Sequence, residues 1–193
     1  MENISAKIEH TSTKQEILNT AIQLFQKFGY DKVTIAQICK TCDIAKTTFY
    51  YYFKSKESLI ADFYNQTDTL LMEHTAQILA AENNVEQLWQ ICSFYMQLYI
   101  DTGTVITKEI FQINIKNDYL RMAPDDAKLK DIMILLIERG QATGQIKNPT
   151  PAKALYKQMI YLLDGVSFIW VTKDCSFDLL TEARESFDGL LMI

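Results

Sequence analysis

Between Thr47 and Lys56 the chain reads Thr-Thr-Phe-Tyr-Tyr-Tyr-Phe-Lys-Ser-Lys, five consecutive aromatic residues set between hydroxyls and ammoniums. The chemistry available to such a run is recognition of phosphate and of base edges, because Tyr, Thr and Lys side chains all donate hydrogen bonds. Phe49 and Phe53 lie four residues apart and share one helical face, so they suit a core. The tyrosines between them turn to other sides. An aromatic-rich core helix is the competing reading, and the residues upstream decide between the two.

Two further groups invite a chemical reading. Cys39 and Cys42 form a Cys-x-x-Cys, but zinc needs about four ligands at suitable spacing. The other cysteines stand at 92 and 175 and the histidines at 10 and 74, so no second pair follows. Cys39 also falls on an apolar helical face, where a small buried residue is wanted. The pair therefore reads as structural filler, with thiol redox sensing as the alternative. Disulfides are not expected in a reducing compartment. No metal and no cofactor are expected, and no convergent nucleophile, metal set or acid pair suggests an enzyme.

The elements that must hold the aromatic run are short helices. Thr34-Ile35-Ala36-Gln37 has the form of a capping box, and Ile35, Ile38 and Cys39 follow at the spacing of a buried stripe. The pattern breaks around Thr41-Cys42-Asp43, and a second short helix begins near Ala45. Two short helices across a tight turn, the second ending in aromatics and Lys, read as a helix-turn-helix. An earlier helix is expected from Thr13, head of a second box with Glu16, to Gly29-Tyr30. Its apolar face is Ile17, Leu18, Ala21, Ile22, Phe25 and Phe28.

These residues resemble the TetR family of bacterial transcriptional regulators. The resemblance runs from Ile17 to Leu59 through Gly29-Tyr30, Val33-Thr34-Ile35, Ile38, Ile44-Ala45-Lys46, Thr48-Phe49-Tyr50, Tyr52-Phe53 and Lys56-Glu57-Ser58-Leu59. Family members often carry Ala where Cys39 and Cys42 stand, and His where Tyr52 stands. The resemblance implies that the helix from Ala45 enters the major groove of duplex DNA. Lys46, Thr47 and Tyr51 would then face base edges, since side chains at the start of a recognition helix reach deepest. Thr34, Thr48, Tyr50, Tyr52 and Lys56 resemble the family's phosphate contacts.

Charge points the same way. Residues 1–56 hold eight Lys and five acidic residues, a balance of +3, which leaves −8 for the rest of a chain whose net charge is −5. A basic head on an acidic body suits a DNA reader with a separate sensing domain. The chain has 193 residues, 48% of them hydrophobic, with only six Gly and three Pro. That composition, with Val/Thr alternation nearly absent, predicts an all-α fold. Residues 1–11 are expected as a disordered arm, 12–54 as the DNA-binding head and 55–193 as a helical ligand-binding and dimerisation body. No apolar signal core opens the sequence and no apolar run approaches the ~20 residues needed to span a bilayer, so a cytoplasmic protein without membrane contact is expected.

In the body, Ser55 can cap a long helix reaching about Ala80. A helix from Val85 to about Ile100 follows and ends at Asp101-Thr102-Gly103. A shorter helix with Ile106, Ile110 and Phe111 comes next, then one opened by Pro124-Asp125-Asp126 and ending near Gly140. The last two helices run from Pro151 to about Thr172, with Thr150 as cap, and from Phe177 to about Leu191, with Ser176 as cap. They carry excess apolar surface, with Gly165 costing about 1 kcal/mol relative to Ala unless another helix approaches there. The family implies a homodimer built on these two helices, and Met159, Leu163, Val166, Trp170, Leu180, Phe187 and Leu191 are the expected interface. Tyr64, His74, Trp89, Tyr95, Tyr99, Phe111, Met133, Tyr161 and Trp170 are expected around the body's centre, an aromatic set suited either to a core or to an apolar or aromatic small-molecule effector.

The reading is a ligand-responsive, homodimeric DNA-binding regulator, a repressor released from its operator by a small molecule. The alternative is a TetR-like activator or co-regulator working mainly through protein contacts. Signalling is expected through the helix leaving Lys56, which would change the spacing of two heads set for groove segments about 34–36 Å apart.

Overall fold

A computed structural model of the chain describes residues 2–65, 80–116 and 127–193 and the single positions 71, 74, 76 and 78, with most side chains from Thr13 onward. Among these residues the fold is all helical: α1 (Glu2–Phe28), α2 (Ile35–Thr41), α3 (Lys46–Tyr52), α4 (Lys56–Asn65), α5 (Asn84–Lys116), α6 (Ala127–Ala142), α7 (Ala152–Thr172) and α8 (Leu179–Leu191). None of the described helices is long and apolar enough to cross a membrane. The segment around Pro124-Asp125-Asp126 lies outside the described residues.

The expected boundaries shift at several points. α1 runs back to Glu2, so the backbone of residues 2–11 continues the helix instead of forming a separate arm, and Thr13 lies within it. No Gly or Pro interrupts residues 2–28, which leaves nothing in the local chemistry to stop the helix before Gly29. There φ is +87°, a value that suits a residue without Cβ, and the Gly29 amide still donates to the Phe25 carbonyl at 2.8 Å. α8 is capped by Asp178, whose carboxylate accepts from the Thr181 amide at 2.7 Å, two residues beyond the Ser176 expected. The N-cap of α7 is Pro151 itself.

Two hydrophobic cores result. The first joins Ile17, Leu18, Ala21, Ile22 and Phe25 of α1 to Ile38 and Cys39 of α2, Phe49 of α3, and Leu59 and Ile60 of α4. Three short helices are too small to bury a comfortable core alone, and the distal half of α5 completes it with Ile106 and Ile110. The second core gathers Leu88, Ile91, Cys92, Met96 and Tyr99 of α5 with the inner faces of α6, α7 and α8. α5 therefore belongs to both cores, whereas the sequence pointed to the helix after Lys56 as the link between head and body. Its two halves meet at Gly103 (φ 76°, ψ 172°), where the expected break between two helices becomes a kink in one.

Candidate nucleic-acid interface

The turn that presents α3 is built by local bonds. Thr34 caps α2: its hydroxyl accepts from the Gln37 amide at 3.2 Å, and the Gln37 side chain accepts from the Thr34 amide at 2.7 Å. After α2 the chain reverses through Asp43, at φ +52°, a left-handed value that Asp tolerates better than most residues. The Ile44 amide returns to the Cys39 carbonyl at 2.9 Å. Cys39 is buried in the head core and Cys42 is the C-cap residue of α2. Burial raises the Cys42 thiol above its ordinary range.

α3 then splits its aromatics by face. Phe49 is buried and Phe53 closes the helix from inside, their rings 5.8 Å apart. Lys46, Thr47, Tyr50 and Tyr51 are exposed, with Tyr51 at 70%. Thr48 and Tyr52 are half-buried, and Tyr52 meets Tyr51 edge to face at 4.9 Å. Four of the residues expected at DNA are thus exposed on α3, and Thr34 lies exposed at the head of α2.

Lys56 stands apart. Its ammonium donates to the carbonyl oxygens of Tyr30 at 2.8 Å and Val33 at 2.9 Å and lies over the Tyr30 ring. It ties the start of α4 to the loop after α1, so its side chain is engaged inside the head where a phosphate contact was expected. Lys54, two positions away and passed over by the motif reading, is open to solvent. α4 is started by Ser55 and Ser58, each hydroxyl accepting from the other's amide at 3.0–3.1 Å.

Residues 17–63 match a family model described as bacterial regulatory proteins, tetR family. Over those residues the chain is a TetR-family sequence. A Bacillus subtilis protein described as probable HTH-type transcriptional regulator YttP is 29% identical over 137 residues, covering 67% of this chain and 65% of that protein, under two thirds of its length. In fold, the chain is similar to the fatty acid degradation regulator FadR of Bacillus halodurans, with TM-score 0.67, 23% identity, and coverage of 92% of this chain and 94% of that one. It is also similar to FadR of Bacillus subtilis, solved in complex with stearoyl-CoA, with TM-score 0.62, 21% identity, and coverage of 92% and 97%. Identity at that level shows a shared fold.

In the body of the chain the aromatic set is dispersed. Tyr99 is buried and faces Phe111 at 6.0 Å, Met133 is buried in the same core, and Tyr95 is half-buried against Phe94. Trp89 instead lies between Phe187 and the Arg184 guanidinium, at 5.4 and 5.2 Å, where α5 meets α8. Arg184 also holds Glu86 through two bonds of 3.0 and 2.7 Å, which keeps the Glu86 carboxyl below its ordinary range. Trp89 is thus part of a clamp between helices. His74 is exposed, 5.2 Å from Phe94, and Tyr161 faces outward at 63%. The Tyr64 side chain lies outside the described residues.

The expected interface residues also move. Met159, Leu163, Trp170, Phe187 and Leu191 are buried inside the protomer, while Val166 and Leu180 are half-buried. α7 is apolar almost all round, and sequence periodicity does not say which side the protomer's own helices cover. They cover the side expected to be outside. Trp170 even donates its indole N–H to the Phe177 carbonyl at 3.1 Å. What remains open on α7 is Tyr161, Phe168 and Ile169, at helical spacing about Gly165. A Cβ at Gly165 would meet nothing within 4 Å.

Proposed function

We propose that this chain is a homodimeric repressor whose hold on operator DNA is released by a small molecule with a long apolar portion. The observation that carries the reading is the partition of α3, with Phe49 in the core and Lys46, Thr47, Tyr50 and Tyr51 held outward as donors. A surface of that kind costs exposed aromatic area and is explained by a polyanionic partner with base edges to read. Dimerisation would use the open stripe of Tyr161, Phe168 and Ile169, with Gly165 allowing the partner's helix to approach closely. The effector would lie among Tyr95, Tyr99, Phe111 and Met133. A long acyl chain has the chemistry those side chains hold, and stearoyl-CoA, the ligand of the Bacillus subtilis relative, is the first compound to try.

The test is selection of duplexes from a random pool by the full-length protein. Enrichment of a palindromic site, lost on adding stearoyl-CoA or stearic acid, supports the reading. A pool that stays random sinks operator recognition. A preferred site that no apolar compound releases favours a regulator working through protein contacts.

A further inference from the structure

Gly103 holds a conformation that side-chain-bearing residues almost never adopt, and it interrupts the hydrogen-bond ladder of α5. The carbonyl oxygens around the interruption need other donors. Two come from within α5: Thr102 Oγ1 donates to Leu98 O at 2.7 Å, and Thr107 Oγ1 to Gly103 O at 2.9 Å. Both threonines are buried, so the kink is built in. The third donor comes from the head. Gln26, on α1, gives its Nε2 to Asp101 O at 3.2 Å and to Thr102 O at 3.1 Å.

We infer that Gln26 is a latch across this kink, a positioning residue that sets the angle between the DNA-binding head and the body. Residues 105–113 pack in the head core through Val105, Ile106, Ile110 and Ile113, while Val85 to Tyr99 pack in the body core. The head and the distal half of α5 are therefore joined by a shared core, and a turn about Gly103 must also shift Phe111 against Phe168 and Lys108 against Asp174, which tie that half to the body. Gln26 is anchored on the moving side and grips the last two carbonyls of the fixed side. An amide suits that place because one NH2 group offers two donors to two neighbouring oxygens. A change of angle at Gly103 must lengthen those bonds, and each protomer's α3 is carried along. The consequence for DNA rests on the reading above that head spacing governs operator binding.

Hydrogen exchange on the full-length protein, without DNA or effector, tests the latch by itself. Gln26→Leu keeps the side chain's bulk and removes both donors, and exchange across residues 104–110 is expected to quicken about tenfold, the scale of one or two partly exposed hydrogen bonds. The amides of Leu18 to Phe25 should keep their protection. Gly103→Ala, with space for its Cβ but a penalised backbone, should quicken the same segment. Unchanged exchange in both variants overturns the latch. Equal loosening of α1 also overturns it, since Gln26 would then be part of the head's fold. The duplex selected by the wild-type chain supplies the second arm. Gln26→Leu should change affinity for it at least about threefold and leave random duplex unaffected. Quickened exchange with unchanged affinity removes the latch from signalling. A pool that yields no preferred duplex counts against the repressor reading alone, and the exchange result still decides the latch.

Discussion

Lys56 lies over the ring of Tyr30, its ammonium 4.2 Å from the ring centre and 2.8 Å from the Tyr30 carbonyl oxygen. A cation at the first turn of a helix opposes the helix dipole. Two carbonyl acceptors and an aromatic face offset that cost here. The residue ties the start of α4 to the loop after α1 at the corner of the head.

Lys56→Met keeps the stem and removes the ammonium. It should destabilise the chain by about 1–3 kcal/mol, because two carbonyls lose a charged donor. Thermal unfolding without DNA is the check. An unchanged midpoint with weakened DNA binding would restore Lys56 to the phosphate contacts.

Thr34→Ala removes the hydroxyl half of the reciprocal cap, while the backbone amide at 34 keeps its bond to the Gln37 side chain, and should cost about 0.5–2 kcal/mol. Denaturant titration of the free protein measures it, and Thr34→Ser should recover most of the loss. A variant as stable as the parent would mean that α2 does not depend on its cap.

The outward face of α3 predicts a separation of stability from binding. Tyr51→Ala and Lys46→Ala should leave the unfolding midpoint within about 0.5 kcal/mol of the parent, since both side chains are exposed. Each should weaken binding to the selected duplex by about 1–3 kcal/mol and relax preference at one base position. A uniform loss across all sequences would reassign that residue to the phosphates.

Phe168→Glu and Tyr161→Glu place a charge on the open stripe of α7 and should yield folded monomers in sedimentation. Trp170→Glu should lower folding stability as well as assembly, because it buries an unpaired charge in the protomer core. Folded dimers from both stripe variants would move the interface to another surface.

Asp164 stands between Tyr161 and Phe168 on α7, and burial raises its carboxyl from the ordinary 3.8 to about 7. The folded state then holds that proton more tightly than the unfolded state. Its contribution to stability is complete below about pH 3.8, shrinks as pH rises and is lost above about 7. Asp164→Asn cannot ionise, so the difference in denaturant midpoint between parent and variant should grow from pH 4 to pH 7 in the variant's favour. Parallel pH curves for the two proteins would contradict it.

Much of the head was legible in order of residues alone. Capping chemistry is local, so the Thr34 and Gln37 box follows from side chains within four residues. Helical geometry likewise separates Phe49 and Phe53 from the tyrosines between them. The break at Asp101-Thr102-Gly103 was visible for the same reason, since a glycine after two helix-neutral residues is a local signal.

Tertiary structure decided what depends on distant partners. Lys56 reads as a phosphate ligand until the carbonyls of Tyr30 and Val33 are found beside it. α7 is apolar on nearly every side, and only the placement of α5, α6 and α8 leaves Tyr161, Phe168 and Ile169 open while Met159, Leu163 and Trp170 are covered. Ile106 and Ile110 look like any buried stripe, yet they complete the head core from a helix that begins in the body. Gln26 carries no motif, and its two bonds span 75 and 76 residues of sequence. Periodicity along one helix reports that a face must be buried; which neighbour buries it is settled by packing between segments far apart in the chain.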